Sequence, residues 1–440
     1  MANALRVCAP PSGVLRGTLR PPGSKSVTNR LLIALAQLLP QTGEPLLLAN
    51  ASDSDDSSVL IPLLRHLGVT VTVVPGGDWR LTRHEPLPAP HEVTLDLGLA
   101  GTAARFALAL TATRPGTWHL TGQPRLQERP LKPLADALLQ AGARIESLGA
   151  NGHLPLRVTG VPPGALGPLV LDAGASSQFL SALLLLGPGL PVGAEIRLLG
   201  PVASVGYVEL TLMALGRFGQ FWQAVPGSYR RVATPVQVPG TLPVGADWSA
   251  ASYLLAHAAC CPAELTLVGL DPADGQPDAA QLERFRHWGL AFGWPQPTAL
   301  AVNQPTPLAL PSGLLDCAAT PDLAQTYAVL ATQALGPVTL TGLGTLRHKE
   351  TDRIAALATE LASLGIATET GPDWLRVYPG PVQPTRSIGT YHDHRMAMAF
   401  SLLAHALPEG IVIEDPGVVG KSYPRFWADL ATLGLGVTQL

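Results

Sequence analysis

Six times along this chain a large apolar residue is followed by two variable positions, an apolar residue or Ala, and then Gly. The copies run Leu64 to Gly68, Leu138 to Gly142, Leu215 to Gly219, Phe285 to Gly289, Leu361 to Gly365 and Leu430 to Gly434. Successive closing glycines stand 74, 77, 70, 76 and 69 residues apart, too regular a spacing for unrelated helix ends. Self-similarity at a fixed period marks repeated structural units, so the chain is read as six repeats. Each terminal Gly fits the left-handed position that closes a helix, and five of the six precede a short β-like run such as Val69 to Val73. About 40 residues before each Gly lies a second helical pattern: Ser26 to Leu39, Gly101 to Thr113, Ser176 to Leu186, Trp248 to Ala259, Asp322 to Leu335 and His394 to Leu407. These first helices are apolar almost all round, as in Phe179 to Leu186, which predicts burial against sheets. Turns rich in Gly and Pro separate them, for example Pro162 to Pro168 and Val192 to Ala194.

A length of 440 residues exceeds one ordinary core, and a split of three and three repeats around the proline-rich stretch Thr234 to Pro243 is expected. With 47% hydrophobic and 14% charged residues the chain reads as a compact soluble globule. A net charge of -3 argues against a general polyanion binder, so no nucleic-acid partner is expected and any anion must be held locally. Apolar stretches such as Leu31 to Leu39 fall far short of a membrane span, and the N-terminus lacks a charged start followed by an apolar run. Cys8, Cys260, Cys261 and Cys317 show no metal or redox spacing, which suggests reduced thiols, no metal site and a cytoplasmic location.

Only four lysines occur, Lys25, Lys132, Lys349 and Lys421, against 25 arginines. Three of them sit in the polar segments PGSKSVTNR (Pro22 to Arg30), HKETDR (His348 to Arg353) and VGKSYP (Val419 to Pro424). A compact, titratable ammonium does work that a planar guanidinium does not, although a coding bias would also leave a few lysines at random. Polar residues also gather at the helix starts: Ser24, Ser176, Asp247, Asp322 and Asp393 read as N-caps or first-turn residues. Free backbone N–H groups and the positive end of the helix dipole suit phosphate or carboxylate there. Helix starts of the two halves facing one cleft would form an anion trap.

PGSKSVTNR, AGTAAR (Ala100 to Arg105), PRLQERP (Pro124 to Pro130), SSQF (Ser176 to Phe179), HKETDR and DHRMAM (Asp393 to Met398) occur in that order. With the six repeats they make the chain closely resemble the EPSP synthase family, the 3-phosphoshikimate 1-carboxyvinyltransferases, from about Gly13 to Trp427. The resemblance implies an α/β fold: a two-domain inside-out α/β barrel of six βαβαββ repeats, helices inside and sheets outside. Residues 1–22 and 242–440 would form one domain and 23–241 the other, with the chain crossing near Pro22 and near Thr241. It also implies a reaction: shikimate 3-phosphate and phosphoenolpyruvate combine and release phosphate, with no cofactor, in the pathway to aromatic amino acids. A monomer is expected.

Both substrates carry a phosphate and a carboxylate, so bringing them together requires several fixed cations. By the resemblance, Ser26, Arg30, Ser176, Ser177, Gln178 and Ser204 hold the shikimate phosphate and ring, with Tyr207 nearby. Gly101, Arg129, Arg353, Arg395 and Lys421 hold phosphoenolpyruvate, His394 belongs to the substrate site as well, and Lys25 lies between the ligands. Gly101 is expected to permit close backbone approach. Asp322 is assigned as base, Glu350 as acid, and Lys349 as the group polarising the 5-hydroxyl. Lys349 and Arg353 beside Glu350 favour its ionised form, a tension that a dianionic substrate phosphate would offset. Taken singly, Asp322 reads as an N-cap, Lys349, Glu350 and Arg353 as a solvated first turn, and His394 and Arg395 as a helix start. Asp247 keeps its capping role.

The chain departs from the family pattern at Leu99, commonly Asn, at Phe106, commonly Pro, at Thr345, frequently Asn, and at Val205 and Gly206, usually basic or Pro. Those departures bear on phosphoenolpyruvate affinity and on sensitivity to the inhibitor glyphosate. Four other readings compete. The enolpyruvyl transferase acting on UDP-N-acetylglucosamine usually has a reactive Cys in an Arg-rich loop of its first half, where only Cys8 occurs. RNA 3'-phosphate cyclase would show a nucleotide-handling His and a more basic face, and a Walker loop fails on the spacing of Gly417 and Gly420 before Lys421. A non-catalytic anion-binding homologue would keep the cleft and lose turnover.

Overall fold

A computed structural model describes residues 3–40, 44–74, 77–85 and 92–440. The second repeat shows the building unit. Strand Val93–Asp96 leads into helix Gly101–Ala112, strand Thr117–Thr121, helix Lys132–Gln140 and the strand pair Arg144–Ser147 and Leu156–Thr159. Val93–Asp96 pairs in parallel with Thr117–Thr121, which a short hairpin cannot join, and the first helix supplies the crossover. Leu156–Thr159 and then Arg144–Ser147 add antiparallel. That register turns Leu95, Trp118, Leu120, Leu156 and Val158 to one buried face. All residues of Gly101–Ala112 except Thr102 are buried, which accounts for the absence of a polar face. Helix Lys132–Gln140 buries only Leu134, Ala135, Ala137 and Leu138, as an outer amphipathic helix should.

The six closing glycines all adopt left-handed φ, from 76° at Gly365 to 151° at Gly219. A strand follows every one of them, starting at Val69, Arg144, Trp222, Phe292, Thr368 and Gly436, so the sequence pattern undercounts by one. Five sheets of four strands and one of three occur among the described residues. Each four-stranded sheet has a lead strand parallel to its neighbour, then two antiparallel additions. In the three-stranded sheet the lead place shrinks to Ile388, bridged in parallel to Ile413.

Three strands are supplied from far along the chain. Thr241–Pro243 leads the first repeat's sheet beside Leu46–Ala49, and Leu15–Leu19 leads the fourth beside Ala263–Val268. Ala4–Cys8 fills the middle of the last sheet, between Ile411–Glu414 and Gly436–Gln439. The chain divides into two compact units, Met1–Pro22 with Gly245–Leu440, and Gly23–Val244, each with its own apolar core. Within Gly23–Val244 the first helices pack on one another, as do those of the other unit, which puts helices inside and sheets outside. The second crossing falls at Val244–Gly245, beyond the expected Thr241, because Thr241–Pro243 is held to Leu47–Ala49 and Val244 N donates to Ala49 O at 2.9 Å.

Two contacts generate predictions. A Cβ on Gly23 would overlap the carbonyl oxygen of Asn50, whereas one on Gly216 would meet nothing. Gly23→Ala should lower the thermal midpoint by several degrees, a cost of about 2 kcal/mol, while Gly216→Ala should leave it unchanged or higher. Equal midpoints for the two variants would contradict the packing at this crossing. In the other unit, helix Trp248–Cys260 is tied to the turn Ser401–His405 through His257 Nδ1 and His405 Nε2 at 2.9 Å, and through His257 Nε2 and Ser401 Oγ at 3.1 Å. Burial lowers His405 to about 4 and His257 well below the usual imidazole value, the latter helped by His405. Both rings are neutral in the fold, so their contribution is complete above the unfolded value of about 6.5 and is lost as pH falls toward 4. Thermal midpoints measured from pH 7 to 5 should drop, and His405→Gln should flatten that slope; an unchanged slope would refute the role of the pair.

Candidate functional site

In the unit Met1–Pro22 with Gly245–Leu440, the site is built around the start of helix Arg353–Ser363. Asp352 caps that helix, accepting from Ala355 N at 3.1 Å, so Arg353 occupies the first helical position with its side chain turned inward. The Arg353 guanidinium meets three carboxylates. Its Nε lies 2.7 Å from Asp393 Oδ2, its Nη2 2.8 Å from Glu350 Oε2 and 3.2 Å from Asp393 Oδ1, and its Nη1 3.2 Å from Asp322 Oδ1. Burial alone would lower its pKa, but Asp393, Glu350 and Asp322 together outweigh that and raise it.

Asp393 is fully buried and also caps helix His394–Phe400, accepting from Arg395 N at 2.9 Å. Arg395 then reaches back: Nη2 donates to Asp322 Oδ2 at 2.9 Å and Nη1 to the Asp322 carbonyl at 3.1 Å. Tyr253 Oη lies 3.2 Å and Ser249 Oγ 3.3 Å from its nitrogens. Burial pushes the Tyr253 phenol up to about 12, so it stays neutral. Lys349 Nζ stands 3.6 Å from Asp322 Oδ1, Lys421 Nζ 3.5 Å from Glu350 Oε1, and His394 Nδ1 3.5 Å from Asp393 Oδ1. Asp322 and Lys349 have side chains 23% and 18% exposed, against 1% for Arg353, so the first two are part-exposed and the last is enclosed.

Within the unit Gly23–Val244 three helix starts carry residues singled out in the sequence. Ser24 caps Lys25–Leu38 and Ser176 caps Ser177–Leu184, accepting from Val27 N and Gln178 N, while Gly101–Ala112 begins without a side-chain cap. Gln178 Nε2 bonds Thr102 Oγ1 at 3.1 Å, joining two of these starts. Lys25 Nζ lies 3.0 Å from Asp56 Oδ2, and Asn29 holds the Asp56 carbonyl at 3.2 Å. Ser204 adopts a left-handed φ of 48° just before helix Gly206–Gly216, whose Tyr207 carbonyl accepts from Arg30, Ser181 and Thr211.

Several of these residues have protein partners that the sequence does not show. Arg30, expected among the ligand-facing cations, is 2% exposed, and its nitrogens donate to Thr211 Oγ1, Ser26 O, Ser181 Oγ and Tyr207 O. Burial lowers its pKa to about 10. Phe106, one of the departures from the family pattern, supplies an aromatic face 5.5 Å from the Arg30 guanidinium. At Gly101 the missing side chain makes room for protein, since a Cβ there would overlap the Arg129 guanidinium. Asp322 is a first-turn residue and not a cap: Thr320 precedes its short 3-10 turn, and its carboxylate receives Lys349, Arg353 and Arg395. Glu350 and Arg353 form a buried pair, not a solvated one. Asp247 does cap its helix, accepting from Ala250 N. Asp56, Ser181, Thr211, Ser249 and Tyr253 were not foreseen; Ser181 and Thr211 were detectable as polar residues inside apolar helices.

Over residues 10–430 the chain matches the family described as EPSP synthase (3-phosphoshikimate 1-carboxyvinyltransferase). It is 39% identical to the 3-phosphoshikimate 1-carboxyvinyltransferase of Bordetella petrii, over 96% of this chain and 95% of that protein. With the protein of the same name from Nitrosomonas europaea it shares 36% identity, over 95% and 96%. Among solved structures, an EPSP synthase from Acinetobacter baumannii is similar with a TM-score of 0.76 at 22% identity, covering 99% of this chain and 100% of that one. An enolpyruvyl transferase from Streptomyces tendae gives 0.75 at 18% identity, covering 100% and 99%. At these identities the two structures bear on the fold alone.

Removing one partner of a buried ion pair leaves the other charge uncompensated, at a cost of about 3 kcal/mol. Asp393→Asn should therefore lower the unfolding free energy by about that amount in urea. A loss of under about 1 kcal/mol would show that Arg353 does not depend on this carboxylate.

Proposed function

We infer that this chain, which belongs to the EPSP synthase family, transfers the 1-carboxyvinyl group of phosphoenolpyruvate to the 5-hydroxyl of shikimate 3-phosphate, releasing phosphate, on the route to chorismate and aromatic amino acids. The observation that carries the reading is the cluster of four cations, Lys349, Arg353, Arg395 and Lys421, around Asp322, Glu350 and Asp393. Such a cluster offers positive charge to a small anion and keeps two carboxyl groups beside it.

In the proposed mechanism Asp322 takes the proton of the 5-hydroxyl while Lys349, its ion-pair partner, polarises that oxygen. The oxygen forms a bond to C2 of phosphoenolpyruvate, and Glu350 gives a proton to the methylene carbon. In the tetrahedral intermediate C2 carries both oxygens. Loss of a proton from the new methyl group and cleavage of the bond to phosphate oxygen then restore the double bond. Cations on both oxygens of Glu350 oppose its protonation, and a dianionic substrate phosphate drawing Lys421 toward itself would relieve that. Arg395, Lys421, His394, Arg129 and the helix start at Gly101 are proposed to hold phosphoenolpyruvate, with Arg353 fixing their frame. Ser26, Ser176, Ser177, Gln178, Ser204 and Tyr207 are proposed to hold shikimate 3-phosphate, braced by Arg30. Lys25, kept in place by Asp56, would neutralise substrate phosphate.

No helix among the described residues is long and apolar enough to cross a membrane. A cytoplasmic monomer is part of the proposal, supported by four unpaired cysteines, and sedimentation at two loadings tests the monomer. For the chemistry, phosphate release should require both substrates together. Lys25→Met should lose nearly all of it while remaining folded, with a lowered thermal midpoint because Asp56 loses its partner, and Glu350→Gln should lose most. Release with phosphoenolpyruvate alone, or wild-type turnover in Glu350→Gln, would overturn the mechanism.

A further inference from the structure

The segment that ends in Asp393 makes a second set of contacts that the reaction does not use. Helix Arg353–Ser363 carries Arg353 and Glu360 seven residues apart, two turns along one face. Arg353 grips Asp393; Glu360 grips the chain just before it. Fully buried, Glu360 accepts from Tyr391 Oη at 2.6 Å and Arg386 Nη2 at 2.7 Å on one oxygen, and from Gly389 N at 3.2 Å on the other.

Between the two grips stand Tyr391 and His392, with left-handed φ of 54° and 56°. For residues bearing a Cβ that conformation costs roughly 1–2 kcal/mol each, so the turn needs external restraint. Upstream the chain is anchored by Ile388, which exchanges backbone bonds with Val412 and Glu414, and Asp393 N donates to Thr390 O at 2.8 Å. Protein packing does not supply the remaining restraint, because Glu360, Arg386, Tyr391, His392, Glu414 and Asp415 line a cavity of about 430 Å³ against the turn. The pair between His392 and Asp415, at 3.6 Å, joins an 82% exposed ring to a half-exposed carboxylate and is too solvated to hold it.

We propose that Glu360 is a positioning residue for phosphoenolpyruvate recognition: through Tyr391 and Gly389 it fixes the left-handed turn that delivers Asp393 to Arg353 and Arg395 to the ligand. The inference rests on the phosphoenolpyruvate role given above to Arg395. Helix Arg353–Ser363 thus clamps the turn at both ends, and only the Arg353 end belongs to the charge cluster.

Tyr391→Phe removes one hydroxyl from a side chain 38% exposed and should leave the fold intact, while Glu360→Gln keeps an acceptor and removes the charge. In the full chain, Tyr391→Phe should raise KM for phosphoenolpyruvate about three- to tenfold, with KM for shikimate 3-phosphate within twofold of wild type, as loss of one positioning hydrogen bond implies. Glu360→Gln should do so more strongly, and backbone amides from Gly389 to Asp393 should exchange faster in both variants. Unchanged KM for phosphoenolpyruvate in both, whatever the thermal midpoint, would overturn the proposal, as would an equal rise in both KM values. Absence of phosphate release by the wild-type chain would instead fail the family reading, and amide exchange would still report whether Glu360 holds the turn.

Discussion

A single guanidinium, that of Arg353, holds three carboxylates that lie 3 to 40 residues away along the chain. Without that cation Asp322, Glu350 and Asp393 would repel one another in a part-buried space, and with it they stand close enough to be joined by Lys349, Arg395 and Lys421. The fork geometry of Arg makes this possible, since its nitrogens address different partners at once, which a lysine ammonium could not reproduce. The two part-exposed members, Asp322 and Lys349, are left to the solvent side. Burial sorts the cluster into a fixed frame and a reactive edge.

The repeats explain why such a cluster can exist. Every unit ends its outer helix on a glycine in the left-handed region and buries its inner helix on nearly all sides. Inner helices therefore have little freedom except at their starts, where unpaired N–H groups and capping side chains remain. Polar side chains gather at those starts, and at the start of outer helix Arg353–Ser363, because the rest of each inner helix is committed to the core. Strands borrowed from the N-terminus and from Thr241–Pro243 complete the sheets that hold these helices.

Periodicity made the repeats legible, because only Gly tolerates the helix-closing conformation and because inner helices must be apolar. Order and chemistry of the polar segments made the family legible, and the functional assignment with it. Individual side chains were harder to read. Asp322 looks locally like a cap, and only its approach to Arg353 and Arg395 shows otherwise. Arg30 and Ser26 share a helix face as the spacing suggests, but the sequence could not show that Thr211, Ser181 and Tyr207 would take up the guanidinium. Asp56 sits in an acidic run that resembles solvated surface, and Gly101 gives no local sign that Arg129 lies across it. These misses share one cause: the partner lies far along the chain, where neither propensity nor period carries information.

The most direct test of this account is a crystal structure of the chain with both phosphoenolpyruvate and shikimate 3-phosphate bound. The account predicts that Arg353 keeps its bonds to Asp393 while Lys421 and Arg395 turn to the phosphoenolpyruvate anion and Asp322 faces the 5-hydroxyl. Ligands bound away from this cluster, or a phosphate seated on Arg353 with Asp393 displaced, would contradict it.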